Sequence, residues 1–249
     1  MEFNDLNLPD VNKIALSLSG GLDSTTLLYC LVKKYGAENV YALSFDYNQK
    51  QSIELTKAKQ SCDKLNVSHK IIDIGFLGEI SSKVSSNIKG SNIDVPTIQE
   101  VLGEPQPVTY IPFRNLQFTS MLLAFAEAND CGAVALGIQA TDLYGYWDTT
   151  LDFVDAMQNI CNLNRKTQIE ICTPFVSLTK TDEIQIGTDI GVHYEDTLTC
   201  YDPDDHGVAC GKCATCSERI KAFAEAGIAD PAEYSITLDW EALIRKFKV

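Results

Sequence analysis

Basic charge is scarce in this sequence. It carries 20 Lys and Arg against 34 Asp and Glu, a formal net charge of −14. A broad nucleic-acid surface needs clustered Lys and Arg to neutralise phosphates, so this balance argues against an extended nucleic-acid interface. Long apolar runs are missing too. No stretch approaches the roughly 20 apolar residues of a membrane span, so no membrane partner is expected. The first residues, Met1-Glu2-Phe3-Asn4-Asp5, are acidic and lack the basic start of a secretory signal. No internal repeat or low-complexity tract interrupts the chain, and the G-x-x-x-x-G-K-[ST] phosphate-loop spacing is absent. The expectation that remains is a cytoplasmic protein acting on a small molecule. Its nine cysteines then sit in a reducing compartment.

What is present is an apolar content of 45%, enough for a sizeable core. Apolar β-prone runs alternate with helical patterns. Strands are expected at Lys13–Leu18, Val40–Phe45, His69–Ile74, Val108–Ile111, Ala133–Ile138 and Gln168–Cys172. Helices are expected at Ser24–Tyr35, Gln51–Leu65, Leu116–Ala128, Asp152–Leu163 and Lys180–Ile190. The polar, weakly periodic segment Gly78–Pro107 reads as a lid. Strands separated by helices predict an α/β fold with a doubly wound, mostly parallel sheet. Ligands of such sheets bind beyond the carboxyl ends of the strands.

One strand end carries the strongest signal. Ile14-Ala15-Leu16-Ser17-Leu18 runs into Ser19-Gly20-Gly21-Leu22-Asp23-Ser24, and a helical run begins at Thr25. A glycine-hydroxyl loop at a helix N-terminus gathers backbone N–H groups and the positive end of the helix dipole, which together make an anion site. Gly20 and Gly21 let a phosphate approach the backbone. Ser19 and Ser24 add hydroxyls, and Asp23 can hold magnesium. The same six residues would also suit a simple polar turn.

The second signal is Cys200, Cys210, Cys213 and Cys216, spaced C-x9-C-x2-C-x2-C. Four thiolates satisfy a tetrahedral zinc ion and leave no open position, which predicts a structural metal. An iron–sulfur cluster, a redox CxxC pair and disulfide staples are the rivals. Cys30, Cys62, Cys131, Cys161 and Cys172 fall in apolar patterns and read as buried small hydrophobes.

Further candidates lie at other strand ends. Arg114 and Lys180 could neutralise phosphates. Asp46, Gln49, Asp142 and Asp148 could meet an amino-bearing ring or magnesium, and Tyr144, Tyr146 and Trp147 could stack on one. Each also reads as an ordinary loop residue, a helix cap or a partly buried ring.

The loop resembles the PP-loop of the ATP pyrophosphatases, which cleave ATP between its α and β phosphates. The wider chain resembles the 7-cyano-7-deazaguanine synthase family. Leu18–Leu28, Phe45–Gln49, Ile72–Glu79, Tyr110–Asn115, Thr197–Arg219 and Ala226–Tyr234 carry that resemblance. It implies a Rossmann-like PP-loop ATP pyrophosphatase domain over 1–195 and a small zinc-binding C-terminal segment, 196–249, packed on it. It implies ATP, Mg2+ and Zn2+ as cofactors, with 7-carboxy-7-deazaguanine and ammonia as substrates and a homodimer as one partner state. Leu18 to Thr25 would bind ATP, and Ser19, Asp23, Ser24, Arg114 and Lys180 would act on it. The expected reaction runs through an acyl-adenylate and an amide to a nitrile, releasing AMP and pyrophosphate.

Three places depart from the family pattern: Asn48 stands for a usual glycine, Gln51 for a common histidine, and Trp147–Leu151 for a segment with cysteine and arginine. The alternative expectation is a branch that stops at an amide, joining the carboxylate to ammonia or to another amine such as one on a protein. A tRNA thiolase and a zinc-bearing module without catalysis are the readings from other classes.

Overall fold

The computed structural model describes residues 2–96, 106–139 and 146–247. At its centre lies a parallel sheet of β1 (Ile14–Ser17), β2 (Val40–Asp46), β3 (Ser68–Asp73), β4 (Ala133–Ala135) and β5 (Glu170–Cys172), in the order β3-β2-β1-β4-β5. Ile14 stands opposite Val40 on one side and Ala133 on the other, and Ala133 stands opposite Glu170.

Alternation along β1 splits the core into two layers. Ile14 and Leu16 join the layer under α1 (Leu22–Tyr35) and α2 (Glu54–Leu65), which also takes Ile186 of a later helix. Ala15 joins the opposite layer, under α3 (Gly75–Ser81), α4 (Arg114–Ala128) and α5 (Leu151–Cys161). With α6 (Lys180–Ile190) on the first face, the sheet is wound on both sides, as the sequence pattern predicts. The strand order reverses between β1 and β4, which opens a crevice at their carboxyl ends.

Three helices, α3, α7 (Ala214–Ala226) and α8 (Trp240–Phe247), are absent from the pattern-based expectation. The Gly78–Pro107 segment also differs from the expected lid in its described part. Ser81, Ser85, Ser86, Asn87 and Ile88 are buried, and Ile88 belongs to the core. Polarity hid this packing, because part of the polar surface is paired inside: Ser86 N donates to Val108 O, and Asn87 Nδ2 to Thr109 O. Residues 108–111 are turn and irregular chain rather than the expected strand.

The C-terminal part closes over the crevice. Leu198 N donates to Gly20 O at 3.0 Å, and Phe223 of α7 packs with Ile184 of α6 and Leu22 of α1. Arg219 and Asp230 form a buried pair at 2.6 Å, and Arg219 also donates to Thr197 Oγ1 and Tyr194 O. A buried ion pair of this kind holds only when its remaining donors are satisfied, and here they are.

Candidate active site and metal centre

The loop after β1 is shaped by one contact that only glycine allows. Gly20 has φ +91°, and a Cβ there would lie 2.2 Å from the Glu54 carbonyl oxygen. The loop therefore lies directly on the start of α2. Its hydroxyls brace the turn: Ser24 Oγ accepts from Ser19 N at 3.2 Å, the two serine hydroxyls are 3.0 Å apart, and Ser19 Oγ accepts from Gly21 N at 3.1 Å. The first turn of α1, where N–H groups lack intrahelical partners, borders the crevice.

A cavity of about 240 Å³ opens at this point. Leu18, Ser19, Gly21, Leu22, Asp23 and Ser24 line it, together with Arg114, Tyr146 and Lys180. Gly20 supports the loop from behind, and Thr25 is fully buried beneath it. Lys180 opens α6, whose cap is a reciprocal pair between Thr179 and Asp182. Its Nζ lies 2.9 and 3.0 Å from the two carboxylate oxygens of Asp23 and 3.9 Å from Glu218. Burial pushes the Glu218 carboxyl above its ordinary range, and the Lys180 charge opposes the push.

Arg114 opens α4 behind Phe113, which sits in the left-handed region at φ +54°. The guanidinium lies 5.9 Å over the Phe118 ring, and its Nε is buried without a hydrogen-bond partner among the described residues. Burial raises the neighbouring Tyr47 hydroxyl to about 12, and Arg114 pulls it the other way.

The remaining candidates divide. Asp148 is buried and accepts from Asn115 N at 3.2 Å, so it caps the start of α4 rather than facing the cavity. Gln49 is fully buried; its amide bonds Tyr47 N, Phe45 O and Glu54, again away from the cavity. Asp46 ends β2 and accepts from Asn48 N. Trp147 donates to the Tyr110 hydroxyl at 2.8 Å. Asp142 and Tyr144 lie outside the described residues.

Two cavity carboxyls escaped the sequence reading, Glu54 and Glu218. Glu218 follows the last cysteine of the cluster by two residues, and that proximity was the available signal. Glu54 offered none, because a helix-start glutamate normally faces water.

Burial moves the Glu54 carboxyl from its ordinary 4.5 to about 8, against a hydrogen bond from Gln49 and the charge of Arg114. A raised carboxyl lowers stability as pH climbs from about 4.5 to about 8, because the unfolded chain loses its proton first; below and above that window the effect is flat. Glu54→Gln removes the cost. The variant should match the parent near pH 4.5 and exceed it by up to roughly 5 kcal/mol at pH 9, at about 1.4 kcal/mol per unit. Urea melts of both proteins at those two pH values check this.

The four cysteines converge as their spacing predicts. All four sulfurs lie within 4.8 Å of one another, with Cys200 to Cys213 at 3.9 Å and Cys210 to Cys216 at 4.0 Å. A tetrahedron with metal–sulfur bonds of about 2.3 Å has edges of roughly 3.8 Å, so this set fits one metal ion. Its sulfurs are too close to enclose a four-iron cluster, in which each thiolate holds a different iron. The cluster is tied to the cavity through Thr215, whose Oγ1 lies 3.3 Å from Cys213 Sγ and donates to Thr199 O at 2.8 Å. Thr199 and Thr215 both line the cavity.

A parallel sheet with a glycine-hydroxyl loop at its switch point, cations opening one helix on each face and a four-cysteine centre beside them define an α/β nucleotide-binding protein of the PP-loop type. The family model described as queuosine biosynthesis protein QueC matches residues 13–227. The chain belongs to that family.

A protein named 7-cyano-7-deazaguanine synthase from Citrifermentans bemidjiense is 41% identical over 228 residues, covering 89% of this chain and 97% of that one. One of the same name from Psychrobacter cryohalolentis is 36% identical over 249 residues, covering 93% and 94%. Among solved structures, the U34-tRNA thiolase NcsA from Methanococcus maripaludis, with its [4Fe-4S] cluster, aligns over 99% of this chain and 86% of its own at 14% identity and a TM-score of 0.49.

Proposed function

We propose that this chain converts 7-carboxy-7-deazaguanine to 7-cyano-7-deazaguanine with ATP and ammonia. The observation that carries the reading is the gathering of the loop, Asp23, Lys180 and Arg114 around one cavity in a chain whose relatives bear that activity in their names.

The chemistry asks the site for three things. A carboxylate oxygen leaves poorly, so it is first turned into a phosphate ester; the α-phosphorus of ATP takes the carboxylate and pyrophosphate departs. The N–H groups of α1 and the ammonium of Lys180 would meet that departing charge. Arg114, whose buried Nε has no partner among the described residues, would offer a fixed donor to a second anionic group. The reaction also requires that water be kept from the acyl-adenylate. A second round of adenylation on the amide oxygen, followed by loss of AMP, gives the nitrile.

Asp23 is the residue that would hold magnesium, which would offset the phosphate charge. Cys200, Cys210, Cys213 and Cys216 would hold zinc as a structural ion, within a C-terminal segment, 196–249, that completes a domain of residues 1–195. Nine free cysteines, four of them gathered as ligands, suit the cytoplasm. The amide-only branch gains no support from the relatives.

Stoichiometry tests the reading. With 7-carboxy-7-deazaguanine, ATP, magnesium and ammonium, the purified chain should release two AMP per product, and mass spectrometry should find the nitrile. One AMP per product with an accumulating amide would overturn it.

A further inference from the structure

Adenylation leaves two acceptors in the cavity unused. Glu54 opens α2 and Gln51 precedes it by three residues; they are 8% and 6% exposed, and both line the cavity. The Gln51 Oε1 is buried with no hydrogen-bond partner among the described residues. Glu54 Oε1 takes one long bond, 3.4 Å from Gln49 Nε2. An unpartnered buried acceptor is costly, and it points to a ligand that supplies donors. A carboxylate and an amide carbonyl one helical turn apart suit a small, purely donating cation.

Ammonium is such a cation. Resting on the function proposed above, we propose that Gln51 and Glu54 bind ammonium beside the acyl-adenylate, and that Glu54 takes its proton. Ammonium itself has no lone pair and cannot attack. Transfer of one proton to the Glu54 carboxylate leaves ammonia and a neutral carboxylic acid. The nitrogen then bonds to the acyl carbon, and the carbon–oxygen bond to AMP breaks with its electron pair going to AMP. The nitrogen sheds one more proton to the departing phosphate, and a neutral amide remains.

The surroundings of Glu54 suit a group that gains and loses a proton near neutrality. Burial holds the carboxyl near 8, while Gln49 on the β2–α2 connection and Arg114 on α4 face it and pull down. The other cavity carboxyls, Asp23 and Glu218, share the Lys180 ammonium, and no histidine or cysteine lines the cavity among the described residues.

The test uses the full chain and two nucleophiles at pH 7. Hydroxylamine is neutral there and already has its lone pair. In wild type, ammonium gives amide and nitrile, and hydroxylamine gives a hydroxamate. Glu54→Gln should slow the ammonium reaction at least about 100-fold. Hydroxamate formation and the pyrophosphate released with it should stay within a few-fold of wild type. Gln51→Leu, which removes an acceptor that bonds nothing among the described residues, should raise the KM for ammonium about tenfold, with a smaller change in kcat.

A parallel fall with both nucleophiles would overturn the proposal. So would a raised KM for 7-carboxy-7-deazaguanine with an unchanged KM for ammonium, which would assign the carboxylate to the N–H edge of the ring. Wild type that releases no pyrophosphate and makes no hydroxamate would overturn the functional reading itself, and this proposal with it.

Discussion

Asp23→Ala should cut pyrophosphate release by at least about 100-fold while leaving the circular dichroism spectrum unchanged. The side chain stands in the first turn of α1, where it touches the Lys180 ammonium and is 27% exposed. Its removal leaves no cavity in the core. It does release Lys180 toward Glu218, 3.9 Å away, and so draws the ammonium from the place where pyrophosphate charge develops. Loss of one preorganised charged partner at a developing anion costs about 10²–10³ in rate. Ser24→Ala should follow the same direction, because its hydroxyl braces the turn through Ser19. A release assay and a spectrum on the same samples decide it, and a fully active Asp23→Ala would sink the assignment of the loop.

The second large effect belongs to the thiols. The purified protein should carry one zinc per chain, and Cys213→Ser should lose it. Metal binding to sites of this kind is worth about 10–16 kcal/mol in small zinc peptides. Even a fraction of that is large here, since the cluster closes a small core with Leu198 and Ala209. The melting temperature should fall by at least about 10 °C, the shift that roughly 4 kcal/mol makes in a chain of this size. Elemental analysis and thermal melts report the two consequences separately. Iron with sulfide, or a variant as stable as its parent, would refute the assignment.

Both of these sites were legible because their chemistry is local. Ser19 to Ser24 sit on consecutive positions, and the four cysteines crowd into the short stretch from Cys200 to Cys216. The strands were legible too, since Ile14, Leu16 and Ala15 alternate in a way that only a two-sided sheet can use. Glu54 and Glu218 were illegible because a carboxyl's burial is decided by what packs around it, here Gln49 and Arg114 for the first and Lys180 of α6 for the second. Gln49 misled for the converse reason: its position at a strand end suggested a ligand, yet its amide satisfies backbone groups that would otherwise be orphaned. The Ser85–Asn87 stretch looked like solvent-facing chain, and its hydrogen bonds allow it to line the core instead.

The link between Lys180 and Asp23 spans 157 residues of sequence, and the Leu198–Gly20 bond spans more. A chain emerging from the ribosome can therefore build its first strands and helices long before it can build the nucleotide cavity. The exposed loop at the end of β1 has to wait for α6, the thiols and α7 before its walls exist. Contacts so distant slow the final step of folding, and a nascent chain carries unpaired apolar surface of Leu22 until Phe223 arrives. Nucleotide binding is thus a late property of this protein's biosynthesis, gained only when nearly the whole chain has been made.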